Sequence, residues 1–187
     1  MDRDLYGAFG PSQDMSCLAH QPSGRVMFIR FISTGGTIDK IYFDALSQFE
    51  VGESQVEHIL REGMVAFDFD NVSLFKKDSL ELTDEDRIVL REFIEKDDAT
   101  HYVITHGTDS MAETANALEG LTGKRIVLTG SLSPARFKTT DAVFNVGMAV
   151  AAVQTVQPGG YVAMSGQVFD AGDVRKNRGE NRFEHRS

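Results

Sequence analysis

Apolar residues in this chain form short continuous runs separated by longer amphipathic segments. The first run covers residues 26–32 and leads into the sequence S-T-G-G-T at 33–37. A continuous apolar run is typical of a strand covered on both faces. Gly35 and Gly36 allow a sharp turn and a close backbone approach, so we predict a buried strand that ends at the sheet edge where ligands bind. On this stretch alone, a glycine turn whose threonines cap a loop remains the simpler interpretation.

Four more apolar runs have the length and residue types of strands. They cover 71–75, His101–Thr105, Arg125–Thr129 and 160–164. Segments with helical spacing lie between them, at 53–61, 83–96, 111–118 and from about 141 onward. Thr83 with an acid three residues later is a helix-start signal. This alternation predicts a three-layer α/β fold, with a flavodoxin-like, mostly parallel sheet and helices on both faces.

The apolar spacing also predicts which side chains of two helices are buried. We expect the helix at 83–96 to bury Val89, Leu90, Phe93 and Ile94. We expect the helix after residue 141 to point Val143, Phe144, Val146, Val150 and Val153 inward. The polar segment at 39–52 reads as a loop directly after the first strand.

The length of 187 residues suits one domain with a substantial core. We assign this domain to residues 25–187 and interpret 1–24, which show no period, as a partly disordered N-terminal extension. Hydrophobic residues make up 41% and charged residues 25%, as in ordinary globular proteins. The net charge of −9 argues against a nucleic-acid partner, because phosphate binding needs clustered Lys and Arg.

Three features of the sequence favour a cytoplasmic location. Cys17 is the single cysteine, so no intrachain disulfide forms and a reducing compartment is compatible. No apolar run reaches the length of a membrane span, about 18 residues. The N-terminus carries acids and lacks the apolar core of a secretory signal. We therefore expect a cytoplasmic protein without a membrane partner.

Hydroxyl side chains follow four of the predicted strands. They are Thr37, Ser79, Thr108 with Asp109 beside it, and Ser131 with Ser133. Parallel strands place all of them at one edge of the sheet, where hydroxyls with glycines beside them resemble a nucleophile with backbone N–H donors for an oxyanion. A threonine nucleophile needs a proton acceptor, for which Lys, Tyr and Asp are the available types. Each hydroxyl taken alone is also explained as a helix cap.

Other kinds of site find little support in the sequence. His106 could be a general base, although a histidine at a strand end is more often a hydrogen-bonded structural residue. The five histidines are scattered and lack the spacing of metal ligands. Neither a P-loop nor a G-x-G-x-x-G motif follows the first strand. We therefore predict no metal and no organic cofactor.

Three segments of the chain resemble motifs of the bacterial-type L-asparaginase family. They are T-G-G-T-I at 34–38, H-G-T-D-S-M at 106–111 and D-A-G-D-V-R-K at 170–176. The motifs occur in the family's order, and the resemblance covers residues 25–178. Members of this family hydrolyse the side-chain amide of asparagine, and often of glutamine, through a threonine acyl-enzyme.

The resemblance implies a role for each matching residue. Thr37 would be the nucleophile, and Thr108, Asp109 and Lys176 would form a relay that activates the attacking hydroxyl or water. Asp109 would also hold the substrate ammonium, and Ser79 its α-carboxylate. Gly36, Gly107 and Ser131 complete the predicted substrate-binding set. Lys176 enters only through the resemblance, because the strand pattern does not point to it.

Three departures from the family pattern qualify these roles. Leu80 follows Ser79 where many members have a polar side chain, so recognition of the carboxylate is expected to differ. Phe49 falls near the place of the family's loop tyrosine, and we predict that Tyr42 substitutes for it. Typical members also have a second domain that completes a neighbouring subunit's site. Because this sequence stops shortly after Lys176, we expect that part to be absent or replaced by a partner chain, and we expect a homodimer or higher homo-oligomer.

The sequence thus predicts an amidohydrolase that acts on asparagine or glutamine. Two alternatives stay open at this point. One is a non-catalytic protein that senses an amino acid through the same pocket. The other is an ammonia-supplying subunit of an amidotransferase.

Overall fold

The computed structural model describes residues 27–43 and 48–186, and for Tyr42, Phe43 and Gln48 it describes the backbone only. The predicted extension at 1–24, including Cys17, lies outside the described residues. None of the helices formed by the described part of the chain is long and apolar enough to cross a membrane.

The described chain contains ten strands and four α-helices. In chain order they are β1 (Phe28–Gly35), β2 (Lys40–Phe43), β3 (Gln48–Val51), α1 (Val56–Glu62), β4 (Asp68–Lys77), α2 (Asp84–Lys96), β5 (His101–Thr105), α3 (Met111–Ala117), β6 (Arg125–Thr129), α4 (Ala142–Thr155), β7 (Gly159–Met164), β8 (Gln167–Asp170), β9 (Val174–Asn177) and β10 (Arg182–His185). Short 3₁₀ turns lie at Thr37–Asp39 and Ala171–Asp173. The five strands predicted from apolar runs and all four predicted helices are present.

Six strands form the central sheet in the order β4-β1-β5-β6-β7-β8. The first five are parallel, and β8 is antiparallel to β7. Counted along the chain, the parallel strands have the order 2-1-3-4-5, which is the flavodoxin-like order. The order reverses between β1 and β5, and ligands bind at the carboxyl ends of strands at such a point. The predicted α/β class is therefore confirmed, and β1 and β5 are the strands that Thr37 and Thr108 follow.

The sheet has a hydrophobic core on each face, because successive residues of a buried strand point to opposite sides. Ile29, Phe31, Val103 and Val127 pack with α1 and α4 on one face. On the other face, a second set packs with α2 and α3; its members on the parallel strands are Ile32, Tyr102, Ile104, Ile126, Leu128, Val162 and Met164. Strands covered on both sides explain the continuous apolar runs in the sequence.

The start of α2 follows the predicted signal. Thr83 caps the helix by accepting a hydrogen bond from the Asp86 N–H, and the Asp86 carboxylate accepts one from the Thr83 N–H. This reciprocal capping box satisfies two backbone donors that a helix start otherwise leaves unpaired. Leu90 and Ile94 are buried as predicted, and Phe93 is partly buried.

Several predictions about local structure are wrong. The segment predicted as a loop at 39–52 instead contains a 3₁₀ turn and the antiparallel β2–β3 hairpin. Val89, Val143 and Phe144 were expected to point inward, but they are 49%, 54% and 62% exposed. The strands after β7 were not predicted: β8 joins the central sheet, and β9 and β10 form a second hairpin. Short strands of four residues carry too few positions for a clear alternation, which is why the pattern missed them.

Candidate active site

Glycines let the carboxyl ends of β1, β4 and β5 approach each other closely. A β-carbon added at Gly36 would lie 2.5 Å from the Cα atom of Gly107. A β-carbon added at Gly107 would lie 2.6 Å from the β-carbon of Ser79. Real β-carbons do not approach other atoms this closely, so only glycine fits at both positions. Ser79 takes part in these contacts, and Thr37 and Thr108 directly follow Gly36 and Gly107. The fold therefore brings the turns that carry these three hydroxyls together.

The turn after β1 also requires glycine for its backbone conformation. Gly35 and Gly36 have φ angles of +97° and +88°, in the region that side-chain-bearing residues rarely adopt. The Gly36 N–H donates to the Lys77 carbonyl at 3.0 Å, which ties this turn to the end of β4. Thr37 then begins the 3₁₀ turn and is partly exposed.

Asp39 anchors the same turn from inside the protein. Its carboxylate accepts hydrogen bonds from the Ser33 hydroxyl at 2.7 Å and from the Gln55 N–H at 2.8 Å. The side chain is buried, and burial raises its pKa to about 6. Asp39 thus links the end of β1, the turn that carries Thr37 and the start of α1. Sequence reasoning assigned this acid to a loop, although its position directly after the buried Ile38 is the signal that could have indicated a buried carboxyl.

Lys176 on β9 reaches back to the turn after β5. Its ammonium donates to the Thr108 hydroxyl oxygen at 2.7 Å and to the Asp109 carboxylate at 2.8 Å. The Lys176 side chain is only 11% exposed, whereas Asp109 is 36% exposed. A shielded ion pair of this kind interacts more strongly than one in open solvent. The structure therefore brings together the threonine, aspartate and lysine of the predicted relay.

Ser79 lies against this relay. The Asp109 N–H donates to the Ser79 hydroxyl at 3.4 Å, and the Ser110 hydroxyl donates to the Ser79 carbonyl at 2.5 Å. The Ser79 hydroxyl in turn donates to the Asp78 carboxylate at 3.4 Å. The two contacts of the hydroxyl are long, so it is available to reorganise around a ligand.

The family model described as "Asparaginase, N-terminal" matches residues 28–185 of this chain. The chain belongs to the asparaginase family. The match spans the first two motifs and the segment that carries Lys176.

The chain is also similar in sequence and in structure to individual members of the family. The chain is 33% identical over 160 residues to L-asparaginase 2 of Escherichia coli, covering 79% of this chain and 46% of that protein. It is 30% identical over 165 residues to a glutaminase-asparaginase of Acinetobacter glutaminasificans, covering 78% and 48%. Among solved structures, the thermostable L-asparaginase from Thermococcus kodakarensis has a TM-score of 0.71 at 27% identity, covering 85% of this chain and 51% of that one. The chain spans about half the length of these asparaginases.

His106 is a structural residue of this asparaginase domain rather than an exposed base. Its Nδ1 atom lies 2.7 Å from the Gly107 carbonyl oxygen, and its Nε2 atom lies 2.8 Å from the Thr114 hydroxyl. A carbonyl only accepts, so Nδ1 carries the proton and Nε2 accepts from Thr114. The ring is fully buried, and burial lowers its pKa to about 4. The neutral imidazole thus orients the peptide group between Gly107 and Thr108. The C=O and N–H of a trans peptide point in opposite directions, so the backbone N–H of Thr108 points away from the ring.

Ser131 and Tyr42 are the remaining predicted site residues. The buried Ser131 hydroxyl donates to the Ser133 carbonyl at 2.5 Å and so serves its own loop. Gly130 packs against the His106 backbone, which places this loop beside the turn after β5. Tyr42 pairs with Phe49 through the backbone of the β2–β3 hairpin, but its side chain lies outside the described part of the structure, and its predicted role is untested. Among the described residues, no group of three or more His, Cys, Asp or Glu side chains could hold a metal ion.

Proposed function

We propose that this chain is an amidohydrolase that cleaves the side-chain amide of L-asparagine, with L-glutamine as a second candidate substrate. The observation that carries the proposal is the pair of hydrogen bonds from Lys176 to Thr108 and Asp109. Membership of the asparaginase family supports it. The glutaminase-asparaginase among the relatives is the reason to include glutamine. We assign this activity to residues 25–187 as one catalytic domain.

In the proposed mechanism, the Thr37 hydroxyl attacks the side-chain amide carbon of the substrate. Its proton passes to the leaving nitrogen, ammonia departs, and an aspartyl ester remains on Thr37. Water then attacks this ester with the help of the Thr108–Lys176–Asp109 relay, which releases aspartate and restores the hydroxyl. In this second step, Thr108 takes a proton from the attacking water as its own proton passes to the departing Thr37 oxygen. Lys176 donates to the Thr108 oxygen and to Asp109, which holds the relay in place and stabilises negative charge that develops on the Thr108 oxygen during the transfer.

We assign the oxyanion-binding role to backbone N–H groups near Thr37 and Thr108. Such donors act strongly when they are held in place before the reaction starts. The contact from His106 to the Gly107 carbonyl supports this assignment for the Thr108 N–H, because it fixes the peptide that carries it. Asp109, 36% exposed, is proposed to bind the substrate ammonium, and the phenol of Tyr42 to assist proton transfer at Thr37.

The decisive assay measures ammonia release from asparagine and from glutamine by the wild-type chain and by Thr37→Ala. We expect turnover by the wild type and a loss in the variant, with an aspartyl group detected on Thr37 by mass spectrometry after rapid quenching. The matched control is Thr100→Ala. Thr100 is exposed and directly precedes β5, so it lies at the amino ends of the parallel strands, away from the site. If wild-type protein binds asparagine but releases no ammonia from either amide, the amino-acid-sensing alternative replaces this proposal. Turnover that occurs only with an added synthase partner would favour the amidotransferase alternative.

We further propose that the protein acts in the cytoplasm as a homodimer or higher homo-oligomer. The exposed apolar side chains Val143 and Phe144 on α4 and Val168 on β8 support self-association, because apolar surface is favourably buried between subunits. Sedimentation of the wild type and of Phe144→Ser tests this, and a wild-type monomer at working concentration would refute it. Cell fractionation tests the location.

A further inference from the structure

Lys40 reaches the loop that carries Ser79. It is the first residue of β2, three positions after Thr37. Its ammonium lies 2.6 Å from the Asp78 carboxylate, with the lysine side chain 25% and the aspartate side chain 33% exposed. Asp78 directly precedes Ser79, and its other carboxylate oxygen accepts from the Ser79 hydroxyl at 3.4 Å. One carboxylate therefore lies between Lys40 and the hydroxyl that is proposed to hold the substrate α-carboxylate.

The cavity beside this pair is rich in negative charge. It has a volume of about 690 Å³, and the charged residues that line it in the described part of the chain are Lys40, Lys76, Glu50, Asp78, Glu81 and Asp109. Two lysines thus face four carboxylates. Lys76 is paired with Glu53 at 2.5 Å, a residue outside this lining, whereas Lys40 is paired with Asp78 next to Ser79. A substrate carboxylate that enters this cavity meets like charges, which is unfavourable unless a cation is close to its binding position.

Lys40 is the cation placed to relieve this repulsion. The Lys40 ammonium lowers the pKa of Asp78, so Asp78 is ionised beside Ser79 at neutral pH. Leu80, the next residue, is 74% exposed and offers an apolar side chain where a hydrogen-bond donor would help an anion. Of the two lysines among the described lining residues, Lys40 is the one that is bonded to the residue adjoining Ser79.

We propose that Lys40 is a specificity-determining residue that, with Ser79, selects substrates carrying a free α-carboxylate. This inference rests on the proposed function and deepens it. Lys40 offsets the charge of Asp78 and contributes a direct attraction to the incoming carboxylate. The preferred substrates are therefore free amino-acid amides rather than carboxyl-blocked ones.

The test compares L-asparagine with L-asparaginamide, which lacks the α-carboxylate, in wild type and Lys40→Met. For asparagine we expect KM to rise about tenfold or more, equivalent to about 1.4 kcal/mol, while kcat changes less than about threefold. For asparaginamide, followed by release of aspartic acid α-amide, we expect the two proteins to have similar kcat/KM. Lys96→Met removes the same charge from the end of α2, outside the lining of this cavity, and is expected to leave the asparagine KM within about twofold of wild type. In Lys40→Met/Asp78→Asn, part of the lost affinity should return.

Lys40→Gln, which can still donate to Asp78, replaces Lys40→Met if the latter unfolds, and the same rise in KM is expected. An unchanged asparagine KM, or an equal loss for both substrates, would overturn the role of Lys40 while leaving the hydrolase intact. If wild type releases no ammonia at all, the proposed function fails, and calorimetry with L-aspartate then tests Lys40 separately. Equal affinity of wild type and Lys40→Met for aspartate, or no binding by either, would overturn the inference.

Discussion

The ammonium of Lys176 lies 2.7 Å from the hydroxyl oxygen of Thr108, across a sequence separation of 68 residues. The same ammonium pairs with Asp109, so a single lysine contacts two consecutive residues of the turn after β5. Three groups joined by short hydrogen bonds act as one unit, in which removal of any member disturbs the others.

Replacing Lys176 with Met should reduce kcat for asparagine by about 10²–10⁴-fold, the usual contribution of a group that assists proton transfer. KM should change much less, because Lys176 contacts Thr108 and Asp109 and touches no substrate atom in the proposed mechanism. Steady-state kinetics measure both quantities. Arg175→Met, the same kind of change on the neighbouring residue of β9, whose side chain is 53% exposed, should leave kcat close to wild type. A kcat that survives Lys176→Met would exclude the relay.

His106 should make the protein less stable at acidic pH. Its pKa is lowered to about 4 by burial, from the ordinary value of about 6.5 in the unfolded chain. The stability linked to the neutral ring is therefore fully present above pH 6.5 and is lost as pH falls through about 4. The loss should amount to about 3 kcal/mol, since one pKa unit corresponds to about 1.4 kcal/mol.

Urea unfolding at a series of pH values, with His106→Asn as the non-titrating comparison, measures this effect. The difference in the free energy of unfolding between wild type and His106→Asn should shrink as pH falls from 6.5 to 4. A difference that stays constant over this range would show that the ring is not buried in its neutral form.

Asp39 should show the opposite dependence. Burial raises its pKa to about 6, from 3.8, so the folded protein favours the protonated acid. The stability linked to this proton is fully present below about pH 3.8 and is lost as pH rises through about 6, with a total of about 3 kcal/mol. Asp39→Asn, which keeps an acceptor for the Gln55 N–H and cannot ionise, should therefore gain stability relative to wild type as pH increases from 4 to 7. Equal pH profiles for the two proteins would contradict this prediction.

Gly107→Ala should damage both stability and activity, because the added β-carbon would meet the Ser79 side chain at 2.6 Å. Overpacking of this kind costs about 1–3 kcal/mol, which corresponds to a fall in melting temperature of roughly 2–12 °C for a chain of this size. The displaced Ser79 should also raise KM for asparagine. Gly147→Ala in α4 is the control: a β-carbon there meets nothing within 4 Å, and alanine should stabilise the helix by about 1 kcal/mol. Equal melting temperatures for the two variants would refute the contact.

The sequence by itself determined the α/β class and the positions of the main elements. Strands such as Arg125–Thr129 were predicted with the bounds that the structure shows, because a strand buried on both faces is a continuous apolar run. The placement of Thr37 and Thr108 at strand ends also followed from local pattern alone. Val143 and Phe144 show the limit of this reasoning, since helical spacing does not say which side of a wide apolar face is covered.

The pattern of strands and hydroxyls did not say which polar residues meet, and the family resemblance only implied it; the tertiary structure decided it. The strand order makes β1 and β5 neighbours, so Thr37 and Thr108 follow adjacent strands at the point where the order reverses. Glycine contacts then close the distances between their turns, and β9 returns Lys176 to the same point. The partners of Asp39 and Lys40 were likewise invisible in the sequence. Such contacts join residues far apart in the chain, and hydrophobic periodicity reports only on neighbours within one element.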